Sequence, residues 1–183
     1  MIIDLKEHLP VIIEKHPFYE SINKKLMEQV NSLSFKTPDQ LNHYTNIRGG
    51  QSGVEPYNET VKLIENWINE LIAINLFRNA NEPLGKYSFW FSRLNDKKDQ
   101  YTRNHNHLVY ATFAAVYFIN TPRGSSPLVF STSGKKVKAE EGEVVIFPGW
   151  VKHHVPKNNC DGRITLAGNI LVKFDHEQFP YFA

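Results

Sequence analysis

Cysteine is almost absent from this chain, since Cys160 is the only one in 183 residues. A single cysteine excludes an intrachain disulfide, which fits a reducing compartment. Long apolar runs are missing as well, because the longest, residues 109–119, is interrupted by threonine and is too short to span a bilayer. The first residues carry acids and lysine and lack the pattern of a signal peptide. We therefore expect a soluble, cytoplasmic protein that does not cross a membrane.

A strong charge of one sign is also missing. The formal net charge is +2, which is too small to indicate electrostatic binding of nucleic acid. The lysine cluster over residues 135–138 is typical of a solvated hairpin tip. A chain of 183 residues is long enough for one domain with a substantial core and short for two. We expect a single domain over residues 1–183, and the sequence leaves its oligomeric state open, a homodimer included.

The first part of the chain, residues 1–82, is predicted to be mostly helical. Mixed apolar spacing around Pro10 and Pro17 leaves short helices or strands open for residues 5–33. The glycine-rich residues 49–53 lack the strand-before, helix-after context of a phosphate loop, and we interpret them as a turn. A helix is predicted from Asn58, a candidate N-cap. Its apolar positions recur every three or four residues, at Val61, Ile64, Ile68, Leu71 and Ile72.

After Pro83 the apolar period changes to two, which is typical of strands. Gly, Pro, Asn and Asp separate the candidate strands, and this pattern favours an all-β barrel or sandwich over βαβ units. Residues 83–183 are therefore predicted to form a β core, with the helical part packed along one sheet. Seven strands are predicted, at residues 87–94, 108–119, 127–131, 136–139, 143–147, 151–155 and 163–174.

Three histidines are candidate metal ligands. His105 and His107 stand two residues apart in a strand-like stretch, so both imidazoles are expected to leave the same face of a sheet. His153 follows a Pro-Gly turn and can bring a third ligand from a distant part of the chain. The neighbouring His154 is expected to point to the opposite face, so only one of that pair can join the metal. Each pair alone is typical of a solvated surface, but their joint occurrence favours a metal site.

Arg163 and Thr165 follow on a later predicted strand, again two residues apart. A guanidinium and a hydroxyl on one strand face suit a carboxylate, because arginine is a planar bidentate donor. A facial set of two or three iron ligands with open positions could then hold a keto acid and oxygen beside them.

The stretch from Trp90 to Asn169 resembles the 2-oxoglutarate and Fe(II)-dependent oxygenase superfamily, nearest to small, poorly characterised members with an H-x-H…H…R pattern. The second block of the pattern is specific, and the first is looser because A-A replaces the usual small polar pair of those relatives. The matching motifs here are H-N-H at 105–107, A-A-V-Y-F at 114–118, P-L-V-F at 127–130, the run from E-G at 141 to F-P-G-W-V-K-H-H-V at 147–155, and R-I-T at 163–165 with Asn169.

The resemblance implies a mainly β (α+β) fold, a double-stranded β-helix or cupin-like jelly roll buttressed by N-terminal helices. It also implies Fe(II) and 2-oxoglutarate at the site, with no catalytic residue beyond the metal ligands. The reaction would consume O2, hydroxylate a small-molecule or side-chain substrate that the sequence does not identify, and release succinate and CO2. The implied iron ligands are His105, His107 and His153, and the implied cosubstrate-binding residues are Arg163, Thr165, Asn169 and Tyr117.

One departure from the wider superfamily concerns charge. Most members use H-x-D, whereas residue 107 is a neutral imidazole, so 2-oxoglutarate would have to supply the anionic ligands and iron binding is expected to depend on it. Asp99 and Asp161 are carboxylates without strand spacing from the histidines, and neither is assigned a role. Three imidazoles with ordinary pKa values of about 6.5 predict that iron affinity weakens steeply from neutral pH toward about 5.5.

Two other functions compete with this interpretation. The same barrel and histidines could form a non-oxidative cupin-like domain that holds zinc or a sugar-like ligand. Copurified metal and keto-acid-dependent oxygen consumption distinguish the two. An HNH-type nuclease, suggested only by the letters of residues 105–107, is excluded because no ββα metal finger surrounds them.

Overall fold

The computed structural model describes residues 11–40, 45–53, 58–77, 85–95 and 100–172. Within them the chain forms two α-helices, α1 (Tyr19–Ser32) and α2 (Glu59–Ile72), a 3₁₀ turn at Pro38–Gln40 and a π-helical turn at Ala73–Phe77. The described strands are β1 (Ile12–Lys15), β2 (Ile47–Arg48), β3 (Gly50–Gln51), β4 (Gly85–Leu94), β5 (Tyr101–His105), β6 (Phe113–Asn120), β7 (Leu128–Phe130), β8 (Lys136–Val137), β9 (Glu143–Pro148), β10 (His153–Val155) and β11 (Arg163–Val172).

The strands form two antiparallel sheets. The major sheet has six strands in the order β1-β9-β6-β11-β4-β3, and the minor sheet has five in the order β2-β5-β10-β7-β8. One apolar cluster draws side chains from both, such as Phe118 and Phe147 from the major sheet and Leu128 and Val155 from the minor sheet. The two sheets therefore face each other across a shared core, as the predicted jelly roll requires.

Both helices cover the outer face of the major sheet. Asn58 caps α2 as predicted, because its Oδ1 accepts a hydrogen bond of 2.8 Å from the Val61 backbone N–H. The apolar stripe of α2 packs with that of α1 against sheet residues such as Phe89 and Leu166. Among the described residues, no helix is long and apolar enough to cross a membrane. The helical buttress expected from the sequence is thus present along this sheet. Its buried residues include Ile22, Leu26, Val30, Val61, Ile64, Ile68 and Ile72.

The long strand β11 divides its side chains between the two faces of the major sheet. Ile164, Leu166 and Ile170 join the cluster beneath the helices. The alternate positions, Arg163 and Thr165 among them, face the space between the sheets. The alternation of one strand therefore supplies both a helix-packing surface and a polar wall.

Each of the seven predicted strands overlaps an observed one, with one large boundary error. The strand predicted from residue 108 begins at Phe113, and Leu108, Val109 and Tyr110 form an exposed turn instead. The predicted strand at 163–174 is described as far as Val172, and residues 173–174 lie outside the described residues.

Four strands, β1, β2, β3 and β5, are not among the seven predicted. Three of them have four residues or fewer, and β5 lacks apolar alternation because its sequence is Tyr-Thr-Arg-Asn-His. The glycine-rich turn at 49–53 contains β3, and part of the loop around it, residues 41–44 and 54–57, lies outside the described residues.

Candidate metal centre

His105, His107 and His153 meet at one point between the sheets. Their ligand nitrogens all lie within 4.8 Å of one another, and their ring centroids are 4.3 to 5.2 Å apart. Strand pairing accounts for two of them, since β5 and β10 are antiparallel neighbours with His105 directly opposite His153. The structure thus brings together the three histidines that the sequence singled out.

The third histidine reaches the site in a different way from that predicted. His107 lies two residues beyond the end of β5, so the two imidazoles do not leave one strand face. Its backbone N–H donates a 2.6 Å hydrogen bond to the Gly149 carbonyl, and the Gly149 N–H donates to Thr112 at 2.8 Å. A Cβ on Gly149 would lie 2.1 Å from the Ala111 carbonyl oxygen, so only glycine allows the two loops to approach this closely.

Backbone carbonyls fix the ring state of two of the histidines. Nδ1 of His105 lies 2.7 Å from the Arg103 carbonyl oxygen, and Nδ1 of His153 lies 3.0 Å from that of Val151. A carbonyl can only accept, so Nδ1 carries the hydrogen in each ring and Nε2 keeps its lone pair. Metal-binding histidines are held by the same kind of support.

Asn169 supports the remaining histidine. Its Oδ1 is buried without a hydrogen-bond partner, and its side chain partly opposes the lowering of the His107 pKa. A hydrogen bond in which Oδ1 accepts from the second ring nitrogen of His107 would satisfy both groups. Metal-bound histidines are typically held by an acceptor at their second ring nitrogen.

Burial holds the three histidines in their neutral forms. Burial, together with the charge of a protonated His105, lowers the pKa of His153 to about 3 and that of His107 to about 4. Burial also lowers the pKa of His105, although the Arg103 carbonyl partly opposes this. Neutral imidazole is the form that binds a metal, so the site is prepared for an ion at neutral pH.

These pKa values correct the pH dependence expected from the sequence. Between pH 7 and 5.5, proton competition at each unperturbed histidine would cost about tenfold in metal affinity, and three together on the order of 500-fold. His107 and His153 stay neutral over that range. We therefore predict a loss no larger than about tenfold, from His105 alone. Titrations with Co(II) at the two pH values measure it, and a loss of several hundredfold would show that the imidazoles titrate as exposed groups.

His154 points away from the site, as predicted. Its Nδ1 lies 2.9 Å from Ser131 Oγ, and its ring lines a separate groove on the outer face of the minor sheet. Asp161 lies in another groove, beside Phe35, and Asp99 lies outside the described residues. Among the described residues, the cluster that could hold a metal contains no carboxylate.

Arg163 is buried in the same cavity with its charge unpaired. The residue is 2% exposed, its Nε donates to the Ser126 carbonyl at 3.1 Å, and its Nη2 has no hydrogen-bond partner. Burial lowers its pKa to about 10, so it remains a cation at neutral pH. Among the described residues, both ion pairs lie elsewhere, and neither involves Arg163. A buried cation without a counterion points to an anionic ligand.

One cavity of ≈ 210 Å³ connects the histidines with Arg163. Thr165 lines it too, as predicted from the alternation of β11, and so does Asn169, which the resemblance implied. The sequence patterns did not identify several other lining residues. Trp90 and Ser92 could have been placed by the alternation of β4, whereas the glycine-rich loop carried no such signal. The further polar lining residues are Thr45, Asn46, Gln51, Trp90, Ser92 and Thr102.

Tyr117 does not reach this cavity, which corrects the expectation that it binds the cosubstrate. It is fully buried on the helix-facing side of β6, where its hydroxyl donates a 2.7 Å hydrogen bond to Asn23 Oδ1. Burial raises its pKa. The Asn23 side chain in turn donates to the Ile119 carbonyl at 2.8 Å. Tyr117 therefore joins α1 to the major sheet.

Replacing Tyr117 with phenylalanine tests this position. Loss of the hydroxyl leaves Asn23 Oδ1 buried without a donor, which should cost about 1–3 kcal/mol in the free energy of unfolding. Affinity for metal and 2-oxoglutarate should stay unchanged. Urea unfolding and ligand titration of the same variant measure the two quantities. A weaker 2-oxoglutarate affinity with an unchanged free energy of unfolding would contradict this position and would show that Tyr117 contacts the cosubstrate.

Comparisons with known proteins identify the fold. No family model matches the sequence, and a comparison with curated proteins also finds no match. Solved structures do match. A prolyl-4-hydroxylase from Pseudomonas putida is 16% identical, with a TM-score of 0.67 over 91% of this chain and 94% of its own.

Two further solved structures have a similar fold. A prolyl hydroxylase from Trichoplax adhaerens, in complex with a hypoxia inducible factor peptide, is 11% identical with a TM-score of 0.66, over 88% of this chain and 83% of its own. A viral collagen prolyl hydroxylase from Paramecium Bursaria Chlorella virus-1, in a 2-oxoglutarate complex, is 14% identical with a TM-score of 0.62, over 86% and 94%. The chain thus has the double-stranded β-helix fold of these oxygenases, and the predicted resemblance is confirmed at the level of the fold.

Proposed function

We propose that the protein is an Fe(II)- and 2-oxoglutarate-dependent dioxygenase that hydroxylates a substrate not yet identified and releases succinate and CO2. The observation that carries the proposal is one cavity holding three convergent neutral imidazoles and an unpaired buried guanidinium. The three imidazoles fit a divalent first-row metal, and the guanidinium fits a carboxylate. The fold that the chain shares with solved oxygenases supports the same chemistry.

The donor set fits iron. His105 and His153 each present Nε2, because a backbone carbonyl holds the other nitrogen. His107 would supply the third nitrogen, which leaves positions open for small ligands. When bound, iron with 2-oxoglutarate and O2 supplies the oxidant that hydroxylates a C–H bond while the keto acid is converted to succinate and CO2.

The residues of β11 would hold the keto acid. Arg163 would bind the carboxylate far from the metal through its fork of N–H donors, with the Thr165 hydroxyl beside it on the same strand face. Asn169, one strand repeat beyond Ala167, would hold His107 in its metal-binding orientation. The surrounding apolar side chains, such as Leu128 and Phe147, would limit the entry of water.

The unpaired guanidinium argues against the non-oxidative sugar-binding alternative. A neutral sugar would leave the buried charge of Arg163 without a counterion, whereas a dicarboxylate neutralises it. A zinc-binding cupin-like domain would use the histidines alone and would give Arg163 no role. We therefore prefer the cosubstrate-dependent enzyme.

Anaerobic spectroscopy tests the proposal. Addition of Fe(II) and 2-oxoglutarate to the protein should produce a visible metal-to-ligand charge-transfer band. Admission of oxygen should then release succinate, which can be measured by mass spectrometry. Absence of the band at saturating iron and keto acid would contradict the proposed function and favour the metal-binding alternative.

Coupling between metal and cosubstrate is a further expected result. Three imidazoles leave both charges of the ion uncompensated, so a keto-acid carboxylate at the metal should raise metal affinity by roughly tenfold or more, within the usual range of coupling between ligands. Titration of Co(II) with and without 2-oxoglutarate measures this effect. Linkage requires the same factor when 2-oxoglutarate is titrated with and without metal. Equal metal affinities in both titrations would show that the keto acid does not reach the ion.

A further inference from the structure

Unpaired polar atoms are concentrated in the candidate active-site cavity. In the part of the chain that the structure describes, four buried side-chain polar atoms have no hydrogen-bond partner, and three belong to residues that line this cavity. They are Trp90 Nε1, Arg163 Nη2 and Asn169 Oδ1, and the fourth, Glu65 Oε2, lies on α2. Buried polar groups are nearly always paired, so this concentration points to a ligand.

The three atoms differ in what they can accept. Asn169 Oδ1 is the only acceptor of the three, and a hydrogen bond from the second ring nitrogen of His107 would satisfy it. The two that remain, Arg163 Nη2 and Trp90 Nε1, can only donate. A ligand that satisfies both must offer acceptor oxygens, and a dicarboxylate offers only acceptors at both ends.

Trp90 lines the same cavity as Arg163 and the histidines. Trp90 stands directly opposite Ala167 in the pairing of β4 with β11, and Val116 lies on the other side of Ala167. Ala167 is midway between Thr165 and Asn169 on the cavity face, about 7 Å from each along the strand. Trp90 therefore lines the cavity at a register between Thr165 and Asn169, beside the small side chain of Ala167.

We propose that Trp90 is a further cosubstrate-binding residue whose indole N–H donates a hydrogen bond to a carboxylate oxygen of 2-oxoglutarate. This inference rests on the proposed function and names a binding residue that the sequence patterns did not identify. Trp90 acts with Arg163 and Thr165 as a third donor to the keto acid.

The direct readout is the Trp90 indole proton in the NMR spectrum of the ¹⁵N-labelled full chain, loaded with diamagnetic Zn(II). The chain has three tryptophans, and single Trp→Phe variants assign their indole signals. Titration with 2-oxoglutarate should move the Trp90 signal downfield and saturably, as a new hydrogen bond to a carboxylate requires. The Trp150 signal, from an exposed side chain, should stay in place.

Replacing Trp90 with phenylalanine keeps an aromatic ring and removes the donor. The dissociation constant for 2-oxoglutarate should rise about tenfold, as expected for a hydrogen bond to a charged group. Trp67→Phe is the matched control, because Trp67 packs on the helix-covered face of the major sheet, edge-on to Tyr117. Its 2-oxoglutarate affinity should equal that of the parent.

The outcomes separate this inference from the proposed function. A saturable shift of the Arg163 or Thr165 signals with a stationary Trp90 indole would overturn the role of Trp90 and leave the enzyme proposal standing. If 2-oxoglutarate moves none of the cavity signals, the proposed function fails and this inference fails with it. Unchanged affinity in Trp90→Phe would likewise contradict the hydrogen bond.

Discussion

Replacing His153 with alanine is expected to remove metal binding almost completely. His153 is 4% exposed, its Nδ1 is held by the Val151 carbonyl, and its ring lies 4.3 Å from that of His105. Loss of a supporting group around a metal ligand costs roughly 10- to 100-fold in affinity, and loss of the ligand itself should exceed that. Competition with a chromophoric chelator for Co(II) measures the change.

His154→Ala is the matched control for this experiment. It removes an imidazole from the next residue of the same strand, but one that bonds to Ser131 on the outer face of the minor sheet. Its metal affinity should equal that of the parent. Circular dichroism and thermal unfolding establish that both variants are folded. Undiminished metal affinity in His153→Ala, or similar losses of metal affinity in both variants, would show that His153 is not a metal ligand.

Replacing Arg163 with lysine is expected to weaken 2-oxoglutarate binding by roughly 10- to 100-fold. Lysine keeps the positive charge but loses the planar fork, so at least one hydrogen bond to the carboxylate is lost. A hydrogen bond to a charged group contributes about 1.5–3 kcal/mol, and 1.4 kcal/mol corresponds to a factor of ten. Metal affinity without the keto acid should not change. Isothermal titration of both ligands measures the two quantities.

Arg93→Lys provides the control for Arg163→Lys. Arg93 lies on the neighbouring strand β4, opposite Ile164, and its guanidinium stacks 4.2 Å from the Phe35 ring. It therefore faces away from the cavity, and its replacement should leave 2-oxoglutarate affinity unchanged. The keto acid should also raise the melting temperature of the parent more than that of Arg163→Lys, because it neutralises a buried charge. Normal affinity in Arg163→Lys would mean that the anchor lies elsewhere.

The sequence predicts parts of the fold where local chemistry and packing agree. The stripe of α2 and its Asn58 cap follow from helical spacing and an N-terminal amide acceptor, and both are observed. The alternation of β11 places Arg163 and Thr165 on one face of the strand and the apolar Ile164 and Leu166 on the other. The apolar face packs under the helices, so Arg163 and Thr165 face the cavity. In such elements one face is clearly marked by its residue types.

Other features depend on packing that a local pattern does not contain. β6 is apolar on both faces, so its alternation alone does not show which residues meet the helices. The cosubstrate role that the resemblance implied for Tyr117 is therefore not corrected by the local pattern, and Tyr117 lies on the helix-covered face. β5 has no apolar alternation, and His107 reaches the metal centre through a loop contact with Gly149. Contacts between residues more than forty positions apart in the sequence determine these positions.

The cavity wall contributed by the early loops is a further case. Thr45 and Gln51, whose side chains are joined by a 2.6 Å hydrogen bond, both line the cavity. The sequence predicts only a glycine-rich turn at Gln51 and no element at Thr45. β3 joins the edge of the major sheet and β2 the edge of the minor sheet, so this short segment connects the two sheets beside the site. This segment forms part of the cavity wall because it lies between the two sheets. Its composition alone does not predict this position.

The most direct measurement of the central claim is a crystal structure of the protein with Fe(II) and 2-oxoglutarate, prepared without oxygen. One ion should lie about 2.0–2.2 Å from Nε2 of His105, His107 and His153, and the distal carboxylate of the keto acid should form a bidentate pair with Arg163. An ion outside the three histidines, or a keto acid whose carboxylate does not meet Arg163, would contradict the proposed active site.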